Sequence, residues 1–215
     1  MARLSWRFGS GSRPAKAGYY DGALYARFVE SVSRGMLELV AEAVPSGSRL
    51  IDLCCGTGAL ALLCAARCEE VLGVDISPAM IEYAGRQRGE RENVHFRVGD
   101  ASALPDLADG GFDWATLVMG LHEMPGDLRP RVLAEAARLA RTLLVVDFLP
   151  RMPWNPAGLR NRCVEVLAGP RHFRAFVDFS RRGGLSPLFD EVGLTATRRG
   201  LIDGGSIEIC TLTHA

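Results

Sequence analysis

The chain carries no excess of charge, since 25 basic and 25 acidic residues cancel over 215 positions, and this removes any global electrostatic argument for nucleic acid or an acidic membrane surface. Lysine is almost missing. Lys16 is the one ammonium side chain, and every other strongly basic residue is arginine. No apolar run approaches the roughly 20 residues that span a bilayer. The opening stretch MARLSWRFGSGSRPAKAG lacks the apolar segment of a secretory leader. A cytoplasmic protein is expected, with no membrane span and no nucleic-acid partner. The six cysteines, at 54, 55, 64, 68, 163 and 210, form no Cys-x-x-Cys pair, so packed, reduced thiols are expected in place of disulfides or a metal site. Repeats and low-complexity tracts are also missing.

What is present suits a folded α/β chain, with 48% of residues apolar and 23% charged. Residues 1–18, holding Gly9-Ser10-Gly11-Ser12 and Pro14, read as a flexible arm, and 19–215 as a single domain. A helix is expected from Tyr20 to Pro45, with Leu24, Phe28, Val32, Met36 and Val40 along one face. Strands then alternate with helices. Strands are expected over Arg49–Cys54, Glu70–Asp75, Val94–Val98, Phe112–Met119 and Thr142–Phe148, and helices over Ala59–Cys68, from Pro78 behind the cap Ser77, and over Leu128–Ala140. That alternation indicates a parallel sheet covered on both sides. The regularity breaks at Pro150. Residues 150–192 read as an insertion of about three short helices, with Asn155 and Ser186 as caps ahead of prolines. Leu194–Leu201 and Ser206–Thr213 close the chain as a hairpin across Ile202-Asp203-Gly204-Gly205.

The first strand and helix flank Cys55-Gly56-Thr57-Gly58, a turn at which a backbone bends sharply and a ligand can approach a helix N-terminus. The third glycine of a dinucleotide fingerprint is absent, because Ala61 stands there. Charge is more informative than the glycines. The first three strands end or nearly end in Asp52, Asp75 and Asp100, and Asp52 to Leu63 contains no Lys or Arg. Asp75 lies nineteen positions beyond Gly56, the interval at which an acid accepts hydrogen bonds from a ribose diol. A carboxylate beside this loop repels a pyrophosphate and attracts a cation. S-adenosylmethionine combines adenine, ribose, an ammonium and a positive sulfur. On this reading Asp52 faces the ammonium, Gly56 and Gly58 let the backbone pass beneath it, Asp75 takes the ribose hydroxyls, and Asp100 takes the adenine amine. Ile76, Met80 and Ala101 wall the ring, and Cys54 contributes backbone and volume.

The segments LIDLCCGTGAL, GVDISPAMIEYA, VGDASALP and FDWATLVMGLHEMP, in this order and spacing, resemble the motifs of class I S-adenosylmethionine-dependent methyltransferases, most closely the small-molecule branch that includes quinone-biosynthesis C-methyltransferases. The resemblance implies a Rossmann-like seven-stranded sheet, mostly parallel with a C-terminal antiparallel hairpin and helices on both faces. It also implies that Tyr20, in YYDGALYARF, and Met119, after the fourth strand, touch the cofactor. The family's basic-Pro-Gly-Gly turn before the fifth strand is replaced here by ARLARTLLVVDF.

Methyl transfer from a sulfonium needs a base only when the acceptor carries a proton. His122 and Glu123 follow the fourth strand, and His122 could act as base, hydrogen-bond an acceptor, or cap a loop. The insertion 150–192 is expected to be a lid that selects a small-molecule acceptor, with Arg160, Arg171 and His172 as candidate contacts. A monomer or homodimer is expected. Two rival readings stay open: a non-catalytic S-adenosylmethionine sensor or assembly protein, and a nicotinamide-dependent oxidoreductase.

Overall fold

The computed structural model describes residues 31–214, so the expected arm and Tyr20 lie outside the described residues. The chain runs α1 (Ser31–Ala43), β1 (Arg49–Leu53), α2 (Ala59–Ala65), β2 (Glu70–Asp75), α3 (Pro78–Gln87), β3 (Val94–Val98) and β4 (Phe112–Val118). A 3-10 turn, Leu121–Glu123, leads to α4 (Leu128–Leu139) and β5 (Ala140–Phe148). The segment after Pro150 holds α5 (Pro156–Leu167), α6 (Pro170–Arg181) and α7 (Leu185–Glu191), followed by β6 (Leu194–Ile202) and β7 (Ile207–His214).

Seven strands make one sheet in the order β3-β2-β1-β4-β5-β7-β6. The first five are parallel, and β7 enters antiparallel between β5 and β6. Helices cover both faces. The central strands are buried on both sides, which is why they read as continuous apolar runs. Leu50, Ile51, Leu53, Val71, Val74, Leu143, Val145 and Val146 are almost wholly shielded, and each such side chain contributes roughly 1.5–3 kcal/mol of burial. The strand order reverses between β1 and β4, so their carboxyl ends open a crevice at the switch point.

Element ends differ from the expectations where local chemistry overrides periodicity. Helix α2 stops at Ala65, short of Cys68, through turn bonds from Arg67 N and Cys68 N to Cys64 O. Strand β5 begins at Ala140, with no loop after α4. Arg138, in the last turn of α4, ties that end of the helix to the loop before β4 by donating to Leu104 O and Leu107 O and pairing with Glu135 and Asp109. Ser77 and Asn155 cap α3 and α5 as expected, accepting from Met80 N and Gly158 N. Ser186 does not cap α7. It lies inside that helix, because Gly183 and Gly184 at positive φ turn the chain earlier and Gly184, two residues before Ser186, becomes the N-cap. The Ser186 hydroxyl instead accepts from Arg199.

Candidate functional site

The glycine turn is held by the acid at the end of the neighbouring strand. Asp75 Oδ2 accepts from Gly56 N at 2.9 Å and its Oδ1 accepts from Ser77 N at 2.8 Å. One carboxylate thus ties the loop after β1 to the start of α3, with a remaining lone pair on each oxygen. Burial raises the Asp75 pKa, and the N–H groups of Ser77, Gly56 and Ile76 offset part of that rise. The two glycines have different reasons to be glycine. A side chain on Gly56, at φ 53°, would meet open space, whereas a Cβ on Gly58, at φ 78°, would lie 2.6 Å from the Phe96 ring and 2.8 Å from Ala84 Cβ. Phe96 and Ala84 thus bar a side chain from Gly58, while Gly56 lies open.

Asp52 is 2% exposed. Its Oδ1 accepts from Thr116 Oγ1 at 2.7 Å across the β1–β4 pair, and its Oδ2 is buried with no hydrogen-bond partner among the described residues. Burial, partly offset by Thr116 and reinforced by the Asp75 charge, pushes the Asp52 pKa up to about 7. An orphan carboxylate oxygen of this kind calls for a donor or a cation. Asp100 Oδ1 accepts from Ser102 N and Ser102 Oγ, an Asx turn that leaves the carboxylate exposed beyond β3. Ile76 is 57% exposed at the rim, while Met80 and Ala101 are buried behind it.

The acids converge. Burial and then the charges of Asp75, Asp52, Glu123 and Asp100 all push the Cys54 thiol well above its ordinary pKa. Cys54 at φ 59° and Met119 at φ 55° are left-handed non-glycine residues just past the ends of β1 and β4, a conformation costing on the order of 1–2 kcal/mol each. Gly120 abuts Cys54, 3.4 Å separating an ideal Cβ from Cys54 Cβ. All six cysteines are free.

His122 occupies the 3-10 turn after β4 and is buried. Its Nδ1 lies 2.7 Å from Asp147 Oδ1, and Asp147 Oδ2 accepts from the backbone N–H of Leu121 and His122. Burial alone would lower the His122 pKa, but Asp147, Glu123 and Glu165 together raise it to about 9. From α6, His172 brings its ring to 5.5 Å from that of His122, its Nε2 lying 2.7 Å from Glu165 Oε2 of α5. Phe148 and Phe176 pack beside His122. Arg129 of α4 fastens this assembly from behind: fully buried, it donates to Leu121 O, Ala175 O and Asp178 Oδ2 and stacks over Phe179.

The structure therefore brings Asp52, Cys54, Gly56, Asp75 and Asp100 to one crevice and places His122 and His172 together beside its β4 edge. Arg160 goes elsewhere. Its guanidinium reaches Asp203 in the β6–β7 turn at 2.6 Å, and Arg171 is exposed on the first turn of α6. Asp147, Glu165 and Arg129 are the functional-site neighbours that sequence reasoning missed. Of these only Asp147 left a signal, as a lone acid within the apolar run TLLVVDF.

A doubly wound sheet with an acid-lined crevice at its switch point and no cation in the glycine turn defines a class of adenosyl-cation binders rather than dinucleotide binders. A family model described as a methyltransferase domain matches residues 50–142. The demethylmenaquinone methyltransferase of Desulfitobacterium hafniense (strain Y51) is 31% identical over 189 residues, covering 78% of this chain and 74% of that protein. That of Thermus thermophilus is 37% identical over 126 residues, 54% of each chain. Across such relatives the matched stretch spans from 36% to 74% of their length. A methyltransferase from Aquifex aeolicus, described as SAM dependent, superimposes with a TM-score of 0.67 at 16% identity, over 91% of this chain and 100% of its own. The chain belongs to the class I S-adenosylmethionine-dependent methyltransferase family.

Proposed function

We propose that this chain transfers the methyl group of S-adenosylmethionine to a small-molecule acceptor. The observation that carries this reading is the buried Asp52 Oδ2, left without a partner beside the Gly56 turn. An ammonium placed there satisfies the orphan oxygen and stabilises its charge. Asp75, its oxygens each holding a lone pair beyond the Gly56 and Ser77 bonds, accepts from the ribose diol. Asp100 accepts from the adenine amine, with Ile76, Met80 and Ala101 along the ring. Backbone at Cys54 and Met119 shapes the floor on which the donor lies. When bound, the donor supplies a methyl group on a positive sulfur for in-line displacement, so orientation accounts for much of the rate.

The acceptor side is the ground around His122, His172, Glu123 and Glu165, with α5 to α7 as its lid. Two curated relatives are demethylmenaquinone methyltransferases, which supports a small aromatic or quinol-like acceptor. Asp203 already occupies Arg160, so no acceptor contact is assigned to Arg160, and Arg171 is left as a contact at the lid's exposed edge. Tyr20 lies outside the described residues.

Calorimetric titration with S-adenosylhomocysteine tests the donor half. Asp75→Ala is expected to lose about 2 kcal/mol of affinity, roughly 30-fold, by leaving ribose hydroxyls unpaired. Unchanged affinity would place the ribose elsewhere. A screen of quinols, phenols and small acids with methyl-labelled donor tests the other half, and label in at least one acceptor is expected. Binding of the donor with no transfer to any of these classes would favour a sensor.

A further inference from the structure

Two imidazoles beside the crevice are each gripped at one nitrogen by a carboxylate. His122 Nδ1 is bonded to Asp147 Oδ1 and His172 Nε2 to Glu165 Oε2, both at 2.7 Å. Those bonds fix the orientation of both rings. The opposite nitrogens, His122 Nε2 and His172 Nδ1, take no part in those two bonds. Both point at Glu123: His122 Nε2 is 3.8 Å from its Oε1 and His172 Nδ1 is 3.9 Å from its Oε2. Donor atoms of His122, Glu123 and His172 all lie within 4.8 Å of one another. Glu165 Oε1 is a further 3.7 Å from His122 Nε2.

These separations are too long for hydrogen bonds and close to what a metal ion needs. Ligands at the usual 2.0–2.1 Å from a tetrahedral zinc are roughly 3.4 Å apart, so the widest separation, up to 4.8 Å, closes by about 1.4 Å when an ion binds. The two carboxylate–imidazole pairs are the outer-shell arrangement that orients histidine ligands. Three carboxyl side chains, Asp147, Glu123 and Glu165, gather around the two imidazoles, a charge pattern that suits a cation.

We propose that His122, His172 and Glu123 bind a divalent transition-metal ion such as zinc, with Asp147 and Glu165 orienting the two imidazoles. Three protein ligands leave an open coordination position, the pattern of a catalytic rather than a structural site. If the methyl-transfer reading above holds, that position would take the acceptor's hydroxyl oxygen and lower its pKa, so that its proton passes to solvent water and the oxygen forms the O–CH3 bond as the donor's S–CH3 bond breaks to leave a neutral thioether. Ion binding itself does not depend on that reading.

The test is titration of the full chain, stripped with chelator, with Co2+ and Zn2+, followed by calorimetry and by cobalt visible absorption, with S-adenosylhomocysteine binding measured on the same preparation. One ion per chain is expected, with a d–d spectrum free of thiolate charge transfer. His172→Ala and Glu123→Gln are each expected to weaken binding by roughly 100-fold, and Glu165→Gln by roughly 10-fold or more. Variants are compared only if their circular dichroism matches the parent, and two ligand variants guard against one misfolding. Absence of stoichiometric binding, a thiolate-dominated spectrum, or affinity unchanged in both ligand variants would overturn the site. Loss of nucleoside binding with ion binding intact would count against the methyl-transfer reading alone.

Discussion

At the scale of single residues, Asp52 carries the most information, because under the proposed function its position couples proton and ligand binding. Its pKa of about 7 in the folded chain lies above the unfolded value of 3.8. The sign follows directly: the folded state holds the extra proton, so Asp52's contribution to stability is fully present below pH 4 and is lost as pH rises through 7. A cationic ligand reverses the preference by favouring the ionised acid. Affinity for S-adenosylmethionine is therefore expected to rise by up to about tenfold per pH unit between pH 5 and 7 and to level off above. Calorimetry across that range reads it directly, with proton release visible in buffers of different ionisation enthalpy. Asp52→Asn should flatten the profile, whereas a flat profile in the parent would separate Asp52 from the ligand. The glycines of the turn give a second residue-scale contrast. Gly58→Ala combines left-handed backbone with contacts of 2.6–2.8 Å on Phe96 and Ala84, and is expected to cost roughly 2–4 kcal/mol in urea unfolding. Gly56→Ala, strained but unobstructed, should cost about 1 kcal/mol. Equal losses would contradict the division of roles between them.

At the scale of elements, the turn after β4 owes its position to a side chain from the following helix. Arg129 bonds Leu121 O, Ala175 O and Asp178, joining the His122 turn to α6. Arg129→Met keeps much of the volume and leaves two carbonyls without their donor. It is expected to destabilise the fold by about 3 kcal/mol in chemical unfolding and to displace His172 from His122, visible in their imidazole NMR signals. A stability change under 1 kcal/mol would show that α6 is held by other contacts. Nothing in the sequence distinguishes Arg129 from its neighbour Arg131, because burial of a charge is decided by what packs over it. Glu165 is the same case: helix α5 reads as a weakly amphipathic segment, and the glutamate's burial depends on α6 crossing it. Ser186 shows the opposite error, in which a good local cap was overruled by two glycines at positive φ.

At the scale of the whole molecule, the order of strands, helices and closing hairpin was legible because each parallel strand is a short, uninterrupted apolar run bounded by turns, and the insertion announced itself through its prolines. The gathering of the strand-end acids was legible for a related reason. Asp52, Asp75 and Asp100 terminate successive strands, and a parallel sheet delivers successive strand ends to the same edge. The cluster around His122 was not, since His122, Asp147, Glu165 and His172 come from four elements whose approach is set largely by helix packing. The most direct measurement is a crystal structure of the full chain grown with S-adenosylhomocysteine. The expected density places the amino group on Asp52 Oδ2 and the ribose on Asp75, above the Gly56 turn. A nucleoside bound away from those two carboxylates would contradict the account.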